Sequence, residues 1–314
     1  MNILVTGGAG FIGSHLSARL IQNGSVVTII DNLHSYYDVG LKKKQLIEIE
    51  KQGTFQFYQT DLLSYEETYE VFKSNHFDAV IHLAALPGVA NSLIKPLDYI
   101  DYDIKATVNV LKAAGETNVG HVIFASSSSV YGNQKNVPLK EEMATGKVVS
   151  PYAAAKYGAE SFCHAYSALY GFQMTILRFF TVYGPWGRPD MAITSFISRL
   201  RRNQEITVFG EATARDYTFI DDIVDGIIAS LYYKESNEIF NLGSANPIEM
   251  SELLDELRYY FPTMRVRKGP FRQGDVDSTW ADISKAQKLL KFHPTVSFKE
   301  GIKRTIDWAY QHEI

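Results

Sequence analysis

Short apolar runs of strand length alternate with longer amphipathic stretches in the first half of this chain. The runs are NILVTG, VVTIID, FQFYQTD, AVIHLAA, HVIFASS and MTILRFF, and each precedes or follows a stretch with helical spacing of its apolar positions. Such alternation is typical of a parallel sheet with helices on both faces. The pattern therefore predicts a doubly wound, Rossmann-type α/β fold.

The alternation weakens after about Phe180, which indicates a second, smaller lobe. Glycine and proline crowd into residues 184–189, and a helix-like stretch, short strands and a helix-rich tail follow. We predict a sheet domain over residues 1–180, to which the chain returns around 219–242. A smaller α/β lobe over 181–314 is expected to bind substrate at the carboxyl edge of the sheet.

Composition and charge argue against a nucleic-acid-binding, a disulfide-rich or a membrane-spanning protein. The 314 residues are 46% hydrophobic and 21% charged, as in ordinary globular chains. The net charge of −4 leaves no basic surface for a nucleic acid. One cysteine, Cys163, excludes an internal disulfide framework, and no apolar run reaches the roughly 18 residues of a membrane span. With no signal peptide recognised, we expect a cytoplasmic protein that binds neither membrane nor nucleic acid.

The motif GGAGFIG follows the first predicted strand directly and opens an amphipathic helix. Gly7, Gly10 and Gly13 permit a tight turn, a close backbone approach to a pyrophosphate and close packing of the helix on the strand. Phe11 and Ile12 belong to the same motif, which leads into the helix-like SHLSARLIQNG, and the first amide groups of that helix can bind the phosphates. The motif therefore predicts a dinucleotide site.

The end of the second strand indicates which dinucleotide binds. Asp31 lies about 20 residues beyond the glycine loop, where a carboxylate binds ribose hydroxyl groups. Asn32 follows it instead of an arginine that would suit a 2′-phosphate, so we predict NAD rather than NADP. The ends of the third and fourth strands are expected to add contacts from Asp61, Leu62, Leu83, Ala84 and Ala85. The alternatives are a helix cap for Asp61 and ordinary strand packing for the others.

Two further motifs indicate catalysis. Tyr152 and Lys156 lie four residues apart in YAAAK, so both side chains project from one helix face. The ammonium and a nicotinamide cation favour the phenolate form of the tyrosine, which suits a general base. The hydroxyl run ASSSSVYG, residues 125–132, ends the fifth predicted strand, at the sheet edge where ligands bind. Together they predict a catalytic site rather than exposed helix residues and a solvated turn.

These motifs resemble, in their order along the chain, the extended short-chain dehydrogenase/reductases and specifically the nucleotide-sugar epimerases. The resemblance runs essentially end to end, through TGGAGFIG, HLAA, ASSSSVYG, YAAAK, LRFFTVYGPWGRPDMA, FGEATARDYTFIDDIV, FNLGS and RQGD. It implies that tightly bound NAD oxidises C4 of a UDP-sugar and that the 4-keto sugar is then reduced on its other face. In that scheme Tyr152 is the base, Lys156 holds the nicotinamide ribose, and Ser127 contacts the C4 hydroxyl.

The resemblance also indicates which sugar binds. DNLHSYYDVGLKKKQL and TVYGPWGRPDMA are similar to stretches of UDP-glucuronate 4-epimerases, and related dehydratases and decarboxylases carry carboxyl groups where this chain has Ser128 and Ser129. Ser127, Ser128 and Thr181 are then candidate donors to the sugar carboxylate, with Arg188 as a further charged or indirect clamp. The alternative is that these small hydroxyl residues only make room for the ligands. Ala90 stands where those epimerases carry an arginine.

Three other functions stay open at this point. A 4-epimerase of a neutral or N-acetylated UDP-hexose is the main alternative, because Ala90 removes a cation near the sugar. A UDP-glucuronate decarboxylase is the second, and loss of CO2 would distinguish it. The third is a silent nucleotide-sugar-binding regulator, which the intact tyrosine, lysine and serine set disfavours.

The same resemblance locates the UDP moiety and a subunit contact. It implies UDP contacts from Val208, Phe209, Arg215, Arg272 and Asp275, the arginines meeting the diphosphate. An isolated surface ion pair is the alternative for each arginine. The helices around residues 97–114 and 152–170 resemble those that pair subunits into a homodimer. His82 and His164 are expected to be structural, and no spacing of His, Asp or Glu predicts a metal site.

Overall fold

Strands and helices alternate along the computed structural model, which describes residues 1–135, 137–210, 213–270 and 273–312. The strands are β1 (Asn2–Thr6), β2 (Val26–Ile30), β3 (Gln56–Tyr58), β4 (Ala79–His82), β5 (His121–Ser127), β6 (Gln173–Phe179), β7 (Thr181–Tyr183), β8 (Ile206–Phe209), β9 (Ala214–Phe219), β10 (Glu238–Leu242), β11 (Pro247–Glu249) and β12 (Val266–Gly269). The helices are α1 (Phe11–Gln22), α2 (Val39–Glu50), α3 (Tyr65–Asn75), α4 (Val89–Ile94), α5 (Pro96–Tyr99), α6 (Ala106–Glu116), α7 (Pro151–Tyr170), α8 (Ala192–Arg201), α9 (Ile220–Tyr232), α10 (Met250–Tyr260), α11 (Ser284–Leu290) and α12 (Phe298–Gln311). A π-helical segment, Ile100–Lys105, joins α5 to α6, and short 3-10 helices cover Ser128–Tyr131 and Glu141–Met143.

Seven parallel strands form the main sheet, in the order β10-β6-β5-β4-β1-β2-β3. The order reverses between β1 and β4, because β2 and β3 follow β1 on one side while β5 and β6 follow β4 on the other. A reversal of this kind leaves a crevice at the carboxyl ends of the strands, where ligands bind. The predicted doubly wound α/β class is confirmed.

Apolar side chains cover both faces of the main sheet. Along β1, Ile3 and Val5 belong to the core on one face, and Leu4 belongs to the core on the other. Successive side chains of a strand point to opposite faces, so a strand buried on both sides is apolar at nearly every position. Helices α1, α2 and α9 contribute to the first core, and α3, α6 and α7 contribute to the second.

The remaining strands form two small sheets. In the first, β7 pairs with β9 in parallel and β9 pairs with β11 antiparallel; the second contains β8 and β12 in parallel. The strand β9 leads directly into α9 and then into β10, which pairs with β6 at the edge of the main sheet. The chain therefore passes from the small sheets back to the main one.

The described residues contain neither a candidate membrane-spanning helix nor a candidate group of metal ligands. None of their helices has the length and apolar character needed to cross a lipid bilayer. No three His, Cys, Asp or Glu side chains in this part of the chain come together as ligands for a metal ion. Cys163 is a free, buried thiol, and burial raises its pKa well above the usual value, which disfavours a reactive thiolate.

Candidate active site

A cavity of about 200 Å³ lies at the carboxyl ends of β1, β2, β4 and β5. Helix α7 contributes Tyr152 and Lys156 to its wall, and the loop before α8 contributes Arg188. The predicted cofactor contacts all line this cavity: Gly7, Gly10, Phe11, Ile12, Gly13, Asp31, Asn32, Asp61, Leu62, Leu83, Ala84, Ala85, Tyr152 and Lys156. It lies where the strand order reverses, the usual place for a ligand in this fold class.

Two glycines of the motif GGAGFIG, one in the turn after β1 and one in the first turn of α1, have no room for a side chain. Gly7 has φ +70°, and a Cβ atom there would lie 2.7 Å from the backbone nitrogen of Ala84. A Cβ atom at Gly13 would lie 2.2 Å from the carbonyl oxygen of Gly7, so α1 packs directly on the turn. The backbone can therefore come close to a ligand, and the amide groups at the start of α1 can donate to phosphate oxygens. This cradle fits a dinucleotide pyrophosphate.

The carboxylate of Asp31 is fixed at the end of β2. It accepts hydrogen bonds from the backbone N–H groups of Ala9 at 3.2 Å and Leu33 at 2.8 Å. The ammonium of Lys42, on α2, lies 3.6 Å from its Oδ1 atom, and both side chains are buried. The position of Asp31 suits the hydroxyl groups of an adenosine ribose. Sequence reasoning missed Lys42, because three consecutive lysines do not reveal which one is buried.

The tyrosine and lysine of YAAAK enter the cavity from one face of α7. The hydroxyl of Ser150 caps this helix, so Tyr152 lies in its first turn and Lys156 in the next. Lys156 is buried, and its Nζ atom donates to the carbonyl of Ala125 near the end of β5 at 3.0 Å. The Tyr152 ring meets the Tyr99 ring edge-on, with centroids 6.0 Å apart. These contacts hold the pair beside the glycine loop.

The four serines after Ala125 have different surroundings. The Ser126 hydroxyl donates to the buried carboxylate of Glu160 at 2.5 Å. The Ser127 hydroxyl donates to the Ser129 hydroxyl and accepts a hydrogen bond from the Ser129 N–H, both at 3.2 Å, and Ser127 does not line this cavity. Ser128 and Ser129 begin the 3-10 helix that follows β5. Ser126 thus makes a structural contact inside the protein, whereas the later serines lie at the edge of the sheet where ligands bind.

A second cavity, of about 100 Å³, contains several residues predicted to bind the substrate. Its lining includes Ser128, Ser129, Thr181, Arg215 and Asp275. The guanidinium of Arg215 donates to the carbonyl groups of Val276 at 2.8 Å and Asp277 at 3.2 Å. The cavity therefore lies between the serines that follow β5 and the segment around Asp275 and Val276.

Other predicted substrate contacts lie apart from the two cavities or outside the described residues. Val208 is buried and Phe209 half-buried, and both belong to β8. Arg272 lies outside the described residues.

Ala90 is exposed on α4 and lines neither cavity. His164 is exposed on α7, and His82 is buried between two threonine hydroxyl groups.

Arg188 has a carboxylate partner from its own loop. Its Nε and Nη2 atoms donate to the two carboxylate oxygens of Asp190, at 3.0 and 3.1 Å. The Tyr36 hydroxyl donates to the same carboxylate at 3.3 Å, and burial together with Asp190 raises the pKa of Tyr36 to about 12. Sequence reasoning missed Tyr36 and Asp190, although both occur in the stretches DNLHSYYDVG and GPWGRPDMA that carried the resemblance.

Comparison with known proteins identifies the family. A family model described as NAD dependent epimerase/dehydratase family matches residues 3–243. The UDP-glucuronate 4-epimerase of Thermodesulfobacterium geofontis is 43% identical over 312 residues, which are 98% of this chain and 96% of that protein. A crystal structure of UDP-glucuronic acid 4-epimerase from Bacillus cereus, in complex with UDP-glucuronic acid and NAD, has a TM-score of 0.92. It is 35% identical and covers 99% of this chain and 100% of its own.

A neighbour with a different sugar has almost the same fold. The UDP-glucose 4-epimerase of Thermotoga maritima, solved with UDP-glucose, has a TM-score of 0.91 and 31% identity, and covers 100% of both chains. The family model alone spans more than half of the sequence, and the relatives span nearly all of it. The chain therefore belongs to the NAD dependent epimerase/dehydratase family.

Proposed function

We propose that this protein is an NAD-dependent 4-epimerase that interconverts UDP-glucuronate and UDP-galacturonate. One observation carries the proposal: the glycine loop, Tyr152, Lys156 and Arg188 line a single cavity at the carboxyl edge of the main sheet. The likeness to UDP-glucuronate 4-epimerases, at 43% identity and nearly full coverage, supports the uronate over a neutral sugar.

The proton transfer is assigned to Tyr152. Its hydroxyl, as phenolate, takes the proton of the C4 hydroxyl, and the cation of Lys156 on the same helix face favours that ionised form. When bound, NAD would supply the hydride chemistry: its oxidised form accepts a hydride from C4 of the sugar, and its reduced form donates it back. When the 4-keto sugar presents its other face, the same tyrosine returns the proton. Ser127 stays the proposed hydroxyl partner of the C4 oxygen.

The residues at the end of β5 direct the 4-keto sugar toward reduction. Ser128 and Ser129 occupy the positions where related eliminating enzymes carry carboxyl groups, so those acid and base catalysts are missing. A uronate oxidised at C4 is a β-keto acid, which loses CO2 when its carboxylate stands perpendicular to the ketone plane. Hydroxyl donors from Ser128 and Thr181 hold the carboxylate in an unproductive torsion. The guanidinium of Arg188 supplies a positive charge to the sugar carboxylate. The carboxylate of Asp190 competes with the sugar for that guanidinium.

The UDP moiety is assigned to the smaller lobe. The Arg215 and Arg272 guanidinium groups suit the diphosphate, because their planar forks match phosphate oxygens. Asp275 lies in the second cavity with Arg215 and is the proposed partner of the uridine ribose. The backbone of Val208 and Phe209 is the proposed uracil contact.

We also propose that two copies pair through α7 and the segment from α4 to the π-helix. Helices α4 and α5 pack against α7. This surface exposes a group of large apolar side chains: Leu93, Ile94, Leu97, Ile100, Phe162 and Leu169. Several exposed large apolar side chains on helices that pack together are typical of a subunit interface. The cytoplasm stays the proposed location, since the one cysteine is a free thiol.

A proton NMR time course with UDP-glucuronate, the purified protein and no added reductant tests the activity. We expect UDP-galacturonate to accumulate to equilibrium without release of CO2 or a UDP-pentose. A UDP-pentose would identify a decarboxylase instead. No reaction, combined with turnover of UDP-glucose or UDP-N-acetylglucosamine, would favour the neutral-sugar alternative.

A further inference from the structure

A buried ammonium lies beside the carboxylate of Asp31 in the first cavity. Lys42 belongs to α2, is only 7% exposed and lines the cavity wall. Its Nζ atom lies 3.6 Å from the Oδ1 atom of Asp31 and 5.1 Å from the centroid of the Tyr37 ring. The first distance permits electrostatic attraction, but it is longer than a hydrogen bond. The carboxylate therefore leaves the N–H groups of this ammonium without a close acceptor.

The other cations of this cavity wall do have close acceptors. Among the described residues, the lining contains three cationic side chains, Lys42, Lys156 and Arg188. Lys156 donates to the Ala125 carbonyl at 3.0 Å, and Arg188 donates to both carboxylate oxygens of Asp190. Within the same part of the chain, the ammonium of Lys42 makes no hydrogen bond, its nearest carboxylate oxygen being 3.6 Å away. A buried ammonium in this state is costly, so an oxygen atom of a bound molecule would stabilise it.

The chemistry of the pair matches a ribose hydroxyl group. A hydroxyl both donates and accepts hydrogen bonds, whereas a carboxylate only accepts and an ammonium only donates. Asp31 and Lys42 together therefore satisfy both functions of a hydroxyl. The backbone N–H groups of Ala9 and Leu33 hold the carboxylate in place. The ammonium, on its flexible stem, can then turn toward the same hydroxyl group.

The same pair bears on the choice between NAD and NADP, which carries an additional phosphate on the adenosine ribose. Asn32, the residue directly after Asp31, donates to the carboxylate of Asp61 at 3.0 Å and supplies no positive charge. The cation beside Asp31 comes instead from Lys42, eleven positions further along the chain. A 2′-phosphate at this place would be attracted by the ammonium and repelled by the carboxylate.

We propose that Lys42 is a further cofactor-binding residue, which donates to a ribose hydroxyl of NAD beside Asp31 and would hold a 2′-phosphate if Asp31 did not repel it. The role rests on the proposed function only in requiring that NAD binds, and it is independent of the sugar. Selectivity for NAD then arises from repulsion by the carboxylate, and not from the lack of a cation.

A competition between the two dinucleotides tests this role. The purified protein is incubated with NAD and an excess of NADP until the bound ratio is constant, and the bound dinucleotides are then quantified by chromatography. Asp31→Ser removes the repelling charge and makes room, so the bound ratio of NADP to NAD should rise about 100-fold. In the double variant Asp31→Ser with Lys42→Met, the rise should be about 10-fold smaller, because no ammonium holds the phosphate.

Lys43→Met is the matched control for Lys42→Met, because Lys43 is the next residue of the same helix and is exposed. Combined with Asp31→Ser, it should leave the full rise in the bound ratio. An equal rise with and without Lys42, or no rise in Asp31→Ser, would overturn the proposal. No UDP-sugar is present in this experiment, so a lack of epimerase activity is a separate outcome.

A second measurement covers the case in which Asp31→Ser does not fold. The protein is loaded with NAD, and its release into an excess of deuterium-labelled NAD is followed by mass spectrometry. Lys42→Met should release NAD about 10-fold faster than the wild type, because the hydrogen bond from the ammonium is lost. Lys43→Met should release it at the wild-type rate. An unchanged rate in Lys42→Met would exclude the contact with the ribose and overturn the proposal.

Discussion

At the scale of single residues, Arg188 is the residue that we propose to discriminate between a uronate and a neutral sugar. Its guanidinium is paired with Asp190 at the cavity wall. We predict that Arg188→Ala weakens binding of UDP-glucuronate about 10- to 100-fold, because a charge-assisted hydrogen bond contributes roughly 1.5–3 kcal/mol. The Kd for UDP-glucose should change much less. Isothermal titration calorimetry with both ligands measures the two effects.

Arg258→Ala is the control for this prediction. Arg258 forms a similar short ion pair with Asp255, but on the exposed face of α10. Its replacement should leave both Kd values as they are in the wild type. Equal losses for the two sugars in Arg188→Ala would remove Arg188 from carboxylate recognition.

At the same scale, Tyr152 is the proposed base of the proton transfer. Tyr152→Phe keeps the ring that meets Tyr99 but loses the oxygen that accepts the proton. We expect the epimerisation rate to fall by about 10²- to 10⁴-fold, the usual contribution of a general base. Product NMR gives the rate, and Tyr259→Phe, at an exposed position on α10, is the control. Retention of most of the activity in Tyr152→Phe would contradict the assigned mechanism.

At the scale of elements, α7 serves both the cavity and the proposed subunit contact. Tyr152 and Lys156 line the cavity, whereas Phe162 and Leu169 are exposed further along the same helix. A rigid helix can therefore link the proposed subunit contact to the placement of the proposed catalytic pair, Tyr152 and Lys156.

We predict that Leu97→Glu combined with Leu169→Glu converts a dimer into monomers, since each side chain is 70% exposed in the single chain. Charges placed in an apolar interface lose their hydration without gaining a partner. Light scattering coupled to size-exclusion chromatography gives the mass. Ile47→Glu, on the exposed side of α2, should leave the mass unchanged. A monomeric wild type, or a dimeric double variant, would exclude this interface.

At the scale of the whole molecule, a buried ion pair joins α7 to the main sheet. Arg178 on β6 donates to both carboxylate oxygens of Glu160 on α7, at 2.9 and 2.7 Å. Arg178 also donates to the Tyr131 hydroxyl at 3.1 Å, and that hydroxyl donates to Asn241 on β10 at 2.5 Å. The network thus connects the edge strand β10 to the helix that carries Tyr152 and Lys156, the proposed catalytic pair.

We predict that Arg178→Met lowers the free energy of unfolding by about 3–5 kcal/mol, because it leaves the Glu160 carboxylate buried and unpaired. Urea denaturation followed by circular dichroism gives the value. The double variant Arg178→Met with Glu160→Gln should recover part of the loss. A cost below about 1 kcal/mol for the single variant would mean that water reaches Glu160.

Local patterns were enough to predict the class of the fold and the family. Strand-length apolar runs, helical periodicity and a glycine triplet after a strand are properties of short stretches, and each has a direct backbone cause. The same patterns did not locate Lys42, Tyr36 or Asp190. Periodicity shows which face of an element is buried, but not which distant residue meets it there.

The sequence by itself determined the parallel sheet, the dinucleotide loop and the helix spacing that puts Tyr152 and Lys156 on one face. Only the tertiary structure decided that β10 pairs with β6, that Lys42 meets Asp31, and that Tyr36 meets Asp190. The first set follows from backbone geometry and the spacing of side chains within one element. The second depends on contacts between distant elements, whose free energy arises only when the chain packs and excludes water.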